Sequence, residues 1–198
     1  MAIPSTDERR FTYADYCGWD EGRFELIDGE VFDMSPAPTV DHQSVVVELV
    51  TQIHTFLRRA KGDCRVFVAP FDVRLPRAQE ADDDVDTVVQ PDVLVVCDRS
   101  KLDRRGCRGA PDWIIEITSP STASKDQMLK RQLYERHGVR EYWLVHPVDR
   151  TLTVYRPDSE GRYGAPVVTD AEGTSTIELL PGLEIDWAKV FARVPSDD

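Results

Sequence analysis

Short apolar runs rich in β-branched residues recur along the chain, and each of them predicts a buried β-strand. The clearest runs are residues 93–97, 113–117, 141–146 and 151–155. Two of these runs carry an acidic residue, because Asp92 opens the first and Glu116 lies inside the second. An ionised carboxylate in such a place is costly unless a cation or hydrogen-bond donors compensate its charge. We therefore expect Asp92 and Glu116 to serve a functional site.

A second pattern predicts a β-hairpin near the N-terminus. Asp28-Gly29 separates two strand-like runs, residues 24–27 and 30–34, and this dipeptide favours a type I′ turn. In the register that such a turn imposes, Glu25 lies on the apolar face of the hairpin. A carboxylate there belongs either to the margin of the sheet or to a functional site.

Apolar residues at spacings of three and four predict a long helix in the next segment. It begins at Asp41, which we expect to be the N-cap, and it ends near Lys61-Gly62. His42 lies in its first turn, where it is either an ordinary polar residue or part of a site. The apolar stripe consists of Val46, Leu49, Val50, Ile53 and Leu57.

Another helix is predicted to follow the strand that carries Glu116. Ser124 and Gln127 form a capping box at its start, and Gly138 ends it. Asp126 and Lys130 lie four residues apart on one face of this helix, together with Tyr134. They are either a surface ion pair or groups that reach the strand ends.

The composition narrows the class of protein. The chain has 198 residues, of which 41% are hydrophobic and 30% charged, as expected for a soluble domain with a real core. The N-terminus lacks the apolar segment of a signal peptide, and no run reaches the ~20 apolar residues that span a bilayer. Four cysteines without a C-x-x-C pair argue against zinc, and we expect reduced thiols in a cytoplasmic protein.

The net charge of −12 excludes nucleic-acid binding through the average field of the protein. Any such binding requires a local basic patch or a metal ion. The densest basic stretch lies between Asp98 and Gly109, and it is either a phosphate-facing surface or a solvated loop. Its basic residues are Arg99, Lys101, Arg104, Arg105 and Arg108. The acidic run at residues 80–86 is predicted to be a mobile, solvated loop, since it lacks the glycine and distal Glu of an EF-hand.

The arrangement of elements predicts an α/β (α+β) fold, with a central mixed β-sheet flanked by helices and an N-terminal hairpin. If the strands of Asp92 and Glu116 are neighbours, the two carboxylates repel each other unless a cation lies between them. Carboxylate oxygens, a backbone carbonyl and waters suit Mg²⁺ or Mn²⁺. Such a metal activates water and stabilises charge on a phosphoryl transition state, and a nearby lysine assists. These parts together make a phosphodiesterase.

Pro91-Asp92 followed by Glu116-x-Thr118 resembles a variant of the PD-(D/E)XK motif of restriction-endonuclease-like enzymes. The chain more specifically resembles the Uma family of that superfamily, over residues 13–156. The resembling pieces are residues 24–30, 34–38, 42–43, 70–73, 90–93, 109–112, 116–122, Asp126 with Lys130 and Tyr134, and residues 138–143.

The resemblance implies a single restriction-endonuclease-like domain over residues 1–198, with a core at about 13–156 and an extension at 157–198. It implies that Asp92, Glu116 and the backbone of Ile117 bind the metal. The lysine expected two residues after Glu116 is Thr118 here, and Lys130 takes its place. Glu25, His42 and Thr118 are implied as auxiliary groups, and Asp126 as a residue that orients Lys130.

The predicted function is therefore a Mg²⁺- or Mn²⁺-dependent DNA endonuclease, cytoplasmic, not membrane-bound, and a homodimer by analogy with related enzymes. A catalytically inactive module that dimerises or binds nucleic acid is the main alternative, because Thr118 is neutral and the net charge is strongly negative. Hydrolysis of a small phosphodiester is a third reading, which an acidic surface tolerates better.

Overall fold

A computed structural model of the chain describes residues 9–20, 22–34, 37–118 and 125–194, and the side chains of residues 125–127 fall outside that description. Four α-helices are present in the described part: α1 (Tyr13–Tyr16), α2 (Val40–Ala60), α3 (Lys125–His137) and α4 (Trp187–Phe191). Two short 3₁₀ turns cover Asp82–Asp84 and Arg99–Lys101.

The strands, in chain order, are β1 (Phe24–Ile27), β2 (Glu30–Asp33), β3 (Arg65–Val68), β4 (Val73–Arg74), β5 (Val88–Val89), β6 (Val93–Val96), β7 (Leu102–Asp103), β8 (Gly106–Arg108), β9 (Trp113–Ile117), β10 (Glu141–His146), β11 (Thr151–Tyr155), β12 (Val167–Asp170), β13 (Thr174–Thr176) and β14 (Glu184–Asp186). They form two six-stranded sheets and one separate pair, β13-β14. The hairpin sheet has the order β2-β1-β5-β4-β8-β7, and the central sheet has the order β12-β11-β10-β9-β6-β3.

The central sheet is mixed, as predicted. Its β9 and β10 run parallel, while β6 pairs antiparallel with both β3 and β9. Strands β6 and β9 are buried along their whole length. Val93 and Val95 face α2, whereas Leu94 and Val96 pack in the cluster that contains residues of α3. Burial on both faces explains why these strands are continuous apolar runs instead of alternating ones.

The predicted hairpin is confirmed, including its register. β1 and β2 are antiparallel with Ile27 opposite Glu30, and the turn is Asp28-Gly29. Asp28 has a φ of 52° and Gly29 a φ of 80°, as a type I′ turn requires. The prediction had one central sheet with an N-terminal hairpin, but the hairpin belongs to a second six-stranded sheet, because β1 also pairs with β5.

Helix α2 is the predicted long helix, but Thr39 and not Asp41 is its N-cap. The Thr39 hydroxyl accepts the backbone N–H of His42 at 3.3 Å, so the N-cap lies two residues earlier than predicted. The buried stripe is also rotated: Val46 and Val50 are only half-buried, and Val45 replaces them. Helix α2 packs against β3 and β9 of the central sheet and also against α4 and β14.

The acidic run is not the mobile, solvated loop that its composition predicts. Asp82 binds Arg74, a fully buried guanidinium, and Asp103 binds the same group at 2.7 Å. Asp82 also binds the basic residues Arg105 and Arg108. A buried guanidinium requires carboxylate partners, and the acidic run supplies one of them.

The prediction of four reduced thiols is wrong for one pair. Cys64 and Cys97 form a disulfide, while Cys17 and Cys107 are free. The pairing of Arg65 with Val96 in the β3–β6 ladder brings Cys64 opposite Cys97. Thirty-three positions of sequence separate the two cysteines, so spacing alone does not reveal the pair.

No helix in the described part of the chain is long and apolar enough to cross a membrane. The predicted division into a core and a C-terminal extension stays a prediction.

The tip of the hairpin is bound to α3 through Asp28, which accepts Arg136 at 2.6 Å and Arg77 at 2.9 Å. Although burial opposes the shift, these guanidinium groups lower the pKa of Asp28 below its usual value of 3.8. We expect Asp28→Asn to reduce the free energy of unfolding by about 0.5–1 kcal/mol at pH 7, since Asn keeps the left-handed turn but loses the charge.

Urea unfolding at pH 7 and at pH 3 tests this prediction, with Asp33→Asn of the same hairpin as a control. Because the folded-state pKa is lowered, the stabilisation is present above the unfolded pKa and is lost as the pH falls below it. The two variants should therefore differ at pH 7 and converge at low pH. A deficit of Asp28→Asn that persists unchanged at pH 3 would contradict the assignment.

Candidate active site

The ladder between β6 and β9 brings the two predicted acidic residues side by side. Val93 pairs with Ile115, so Asp92 and Glu116 are the next pair along the two strands. The backbone N–H of Asp92 lies 3.3 Å from Oε2 of Glu116. The structure thus shows the two strands as neighbours, which is the condition that the sequence left open.

Asp92 is held through one of its carboxylate oxygens. Oδ2 accepts the backbone N–H of Ile117 at 2.8 Å and lies 3.0 Å from Nε2 of His42. Within the described residues no donor reaches Oδ1, and 22% of the side-chain surface of Asp92 is accessible to solvent. His42 reaches the site from the first turn of α2, so this helix and β9 together orient Asp92.

Glu116 is held in the same way, from the opposite side. The Tyr134 hydroxyl donates to Oε1 at 2.8 Å, and Nζ of Lys130 lies 3.1 Å from the same oxygen. In the described part of the chain, Oε2 accepts only the backbone N–H of Asp92. Each carboxylate therefore has one oxygen bound by two protein donors and a second oxygen that is largely available.

Lys130 lies between two carboxylates. Its Nζ is 3.1 Å from Oε1 of Glu25 and 3.1 Å from Oε1 of Glu116. Glu25 is fixed in turn by the backbone N–H of Gln90, at 2.9 Å. All three side chains are buried, with residue exposures of 5% for Glu25 and 8% for Glu116 and Lys130. The hairpin, the central sheet and α3 thus meet at one ammonium group.

The site carries more negative than positive charge. Burial raises the pKa of Glu116 above its ordinary range, and the charges of Asp92 and Glu25 add to this effect while Lys130 opposes it. Burial lowers the pKa of His42, but the hydrogen bond and charge of Asp92 outweigh it, so the net shift is upward. Both shifts indicate a site that a further cation would stabilise.

The two available oxygens suit an ion such as Mg²⁺, which needs few protein ligands and completes its coordination with water. Among the described residues, no three His, Cys, Asp or Glu side chains form a ready-made metal site. Mg²⁺ commonly binds through one or two carboxylates and keeps several waters. Asp92 Oδ1 and Glu116 Oε2 are two such oxygens, on adjacent strands.

Comparison with known proteins identifies the family. The model of the Uma2 family, described as "Putative restriction endonuclease", matches residues 12–188. The chain belongs to the Uma2 family. It is 24% identical over 182 residues to the uncharacterized protein slr1290 of Synechocystis sp. (strain ATCC 27184 / PCC 6803 / Kazusa), covering 89% of this chain and 88% of that protein.

A solved structure supports the same fold. The crystal structure of a protein from Anabaena variabilis ATCC 29413, described as a putative nuclease belonging to DUF820, superposes with a TM-score of 0.71. The two chains are 21% identical, and the match covers 92% of this chain and 98% of the other. The predicted restriction-endonuclease-like α/β fold and the predicted family are thereby confirmed.

Thr118 lies two residues after Glu116, where the PD-(D/E)XK motif has a lysine. In this chain Thr118 contacts a histidine. Its hydroxyl lies 2.7 Å from Nδ1 of His146 and 3.3 Å from the carbonyl of Val145. Both contacts are satisfied when Thr118 donates to the carbonyl and accepts Nδ1–H, which leaves Nε2 of His146 as the acceptor. Burial lowers the pKa of His146, which favours this neutral form.

Sequence reasoning assigned no role to His146 or Tyr134. The signal for His146 is the parallel register, because Leu144 pairs with Glu116 and His146 therefore lies beside Thr118. Tyr134 follows Lys130 by one turn, on the face of α3 that the sequence already indicated. The side chain of Asp126 lies outside the described residues, so its predicted role stays a prediction.

The basic residues between Asp98 and Gly109 make their contacts with groups other than Asp92 and Glu116. Arg105 and Arg108 bind Asp82, Arg99 lies 3.7 Å from Asp63, and Lys101 donates to a backbone carbonyl. Arg104 is exposed. Much of the predicted phosphate-facing charge is therefore compensated within the protein. The nucleic-acid role of this stretch stays a prediction.

The buried ion pairs of Lys130 predict a large effect of its removal. Lys130→Met leaves the buried Glu25 and Glu116 without their shared cation, and we expect a loss of about 3 kcal/mol in the free energy of unfolding. Urea unfolding at pH 7 measures this change.

Lys101→Met is the matched control. Lys101 is half-buried and donates to a neutral carbonyl, that of Ala110, at 2.8 Å. Its removal should cost only about 1 kcal/mol. Equal losses in the two variants would show that the Lys130 ion pairs contribute no more than an ordinary hydrogen bond.

Proposed function

We propose that this protein is a divalent-metal-dependent endonuclease that hydrolyses phosphodiester bonds of DNA. The observation that carries the proposal is the paired geometry of Asp92 and Glu116, each with one oxygen bound by the protein and one available. Lys130, 3.1 Å from Glu116, is the third member of the site. The family description and the fold of the Anabaena variabilis protein support a nuclease in general terms.

Asp92 and Glu116, with the backbone carbonyl of Ile117, would hold Mg²⁺ or Mn²⁺. When bound, this ion acidifies a water and stabilises charge on the phosphoryl group. Hydrolysis forms a bond from the water oxygen to phosphorus and breaks the bond to the leaving oxygen, which takes up a proton. Lys130 keeps the Glu116 carboxylate in place and adds positive charge where the phosphate becomes more negative. His42 keeps Asp92 in the orientation that presents Oδ1.

DNA is the substrate that we propose, and a homodimer in the cytoplasm is the form in which we expect the protein to act. Two copies related by a two-fold axis would place one site on each strand of a duplex. The charge of −12 makes this binding depend on the metal and on local cations such as Arg104. Disulfides such as Cys64–Cys97 are uncommon in reducing compartments. The disulfide therefore does not support the cytoplasmic location, which stays a prediction.

Cleavage of supercoiled plasmid in the presence of Mg²⁺ or Mn²⁺ tests the proposal. We expect nicking by the wild-type protein and a loss of about 100-fold or more in Asp92→Asn, because several kcal/mol of transition-state stabilisation depend on the metal. Asp83→Asn, at an exposed position of the acidic run, is the control and should retain activity. Equal cleavage by wild type and Asp92→Asn would refute the assignment.

An inactive module of the same fold is the alternative, and three observations favour it. Thr118 is neutral, and Arg105 and Arg108 are bound by acidic residues. The described residues also contain no group of three His, Cys, Asp or Glu side chains placed to bind a metal ion. In this alternative the donors around Asp92 and Glu116 suffice without a metal.

Calorimetric titration with Mn²⁺ separates the two functions. Binding by the wild type that is lost in Glu116→Ala contradicts the inactive module, whereas no binding supports it. Metal binding accompanied by hydrolysis of bis(p-nitrophenyl) phosphate, but not of plasmid, would instead indicate a small phosphodiester as the substrate.

A further inference from the structure

The inner oxygen of Glu116 has little capacity left for a metal. Oε1 accepts the Tyr134 hydroxyl at 2.8 Å and the Lys130 ammonium at 3.1 Å, and both donors are buried. An ionised carboxylate oxygen has about two lone pairs in its plane, and two donors occupy them. Only Oε2 remains, and it bears a single long contact of 3.3 Å.

Tyr134 has no freedom to release this oxygen. Its side chain is fully buried, and its ring packs edge-to-face against Tyr142 with centroids 4.9 Å apart. The surrounding cluster contains Leu133 and Ile114 as well. Because packing fixes the ring, the hydroxyl is directed at Glu116 whether or not a cation is present.

Asp92 shows the same restriction by different means. Its Oδ2 is bound by the backbone N–H of Ile117 and lies 3.0 Å from His42, so Oδ1 is the oxygen that it presents. The two carboxylates together offer two single oxygens and no bidentate pair. This restriction matters for the choice of cation. Ca²⁺ takes six to eight oxygens and often binds a carboxylate through both, whereas Mg²⁺ requires a compact octahedron with single oxygens and waters.

We propose that Tyr134 is a positioning residue that makes Glu116 a one-oxygen ligand, and that the site thereby selects Mg²⁺ or Mn²⁺ over Ca²⁺. The proposal rests on the metal site of the proposed function and deepens it. In this proposal Tyr134 acts through the carboxylate of Glu116, to which its hydroxyl donates, and not by contact with the substrate or the metal. Removal of its hydroxyl frees one lone pair of Oε1, so a larger cation gains a second oxygen from Glu116.

Calorimetric titration of the whole protein with Mn²⁺ and, separately, with Ca²⁺ tests the proposal. The wild type should bind Mn²⁺ at least about 10-fold more tightly than Ca²⁺. In Tyr134→Phe we expect this ratio to fall by about 10-fold, because loss of a group that hydrogen-bonds to a metal ligand commonly changes metal affinity by that factor or more. The ratio of the two affinities is a suitable readout, because a general loss of protein stability would weaken the binding of both cations alike.

Tyr163→Phe is the matched control. Tyr163 is also buried and donates its hydroxyl to the Val139 carbonyl at 2.7 Å, but the acceptor is not a candidate ligand. This variant loses a similar hydrogen bond and should keep the wild-type ratio. An equal change in both variants would assign the effect to packing and overturn the role of Tyr134.

The remaining outcomes are also decisive. Binding of Mn²⁺ by the wild type with an unchanged ratio in Tyr134→Phe refutes the role of Tyr134 and leaves the metal site intact. Equal affinity of the wild type for Mn²⁺ and Ca²⁺ refutes the selectivity without any variant, even if Tyr134→Phe does not fold. No binding of either cation refutes the metal site of the proposed function, and the selectivity with it.

Discussion

The buried ammonium of Lys130 is the interaction on which the arrangement of the site depends. It lies 3.1 Å from one carboxylate of the hairpin sheet and 3.1 Å from one of the central sheet, and it is itself carried by α3. Three separate parts of the chain therefore converge on one charge. Removal of Lys130 leaves two buried carboxylates without their shared cation, so this interaction is costly to break even where its net contribution to stability is small. The ion pair of Asp28 with Arg136 joins the same hairpin to the same helix two turns further on.

Burial of the central strands on both faces makes such a site costly to build, and it also makes the site rigid. β6 and β9 are covered by α2 on one side and by the cluster around α3 on the other. A carboxylate at their shared end must satisfy its oxygens with donors that the fold provides. The donors are a backbone N–H of β9, a histidine of α2, and a lysine and a tyrosine of α3. Because these donors take only the inner oxygens, the outer ones remain directed away from them.

Much of the fold follows from local patterns in the sequence, and the places where prediction fails share a cause. The hairpin at Asp28-Gly29 and the strands of Asp92 and Glu116 were predictable, because turn chemistry and apolar runs act over a few residues. The disulfide Cys64–Cys97 and the buried Arg74 were not, since each depends on a partner that is distant in sequence. The composition of the acidic run predicts solvation for the same local reason. Asp82, in a 3₁₀ turn, is partly buried because it binds the fully buried Arg74 of β4.

The candidate site shows the same division, with one consequence for its chemistry. The sequence placed Asp92, Glu116 and Lys130 in one site, but it had no means of showing which oxygen of each carboxylate is occupied. That detail determines what the site can bind. Three carboxylates face one lysine and a histidine, while Asp82 and Asp83 compensate part of the charge of the basic stretch. A phosphodiester brought to this surface meets negative charge unless a cation lies between it and the carboxylates. The cation that we propose between Asp92 and Glu116 would thus act twice, once to relieve the repulsion between the carboxylates and once to make the surface attractive to the proposed substrate.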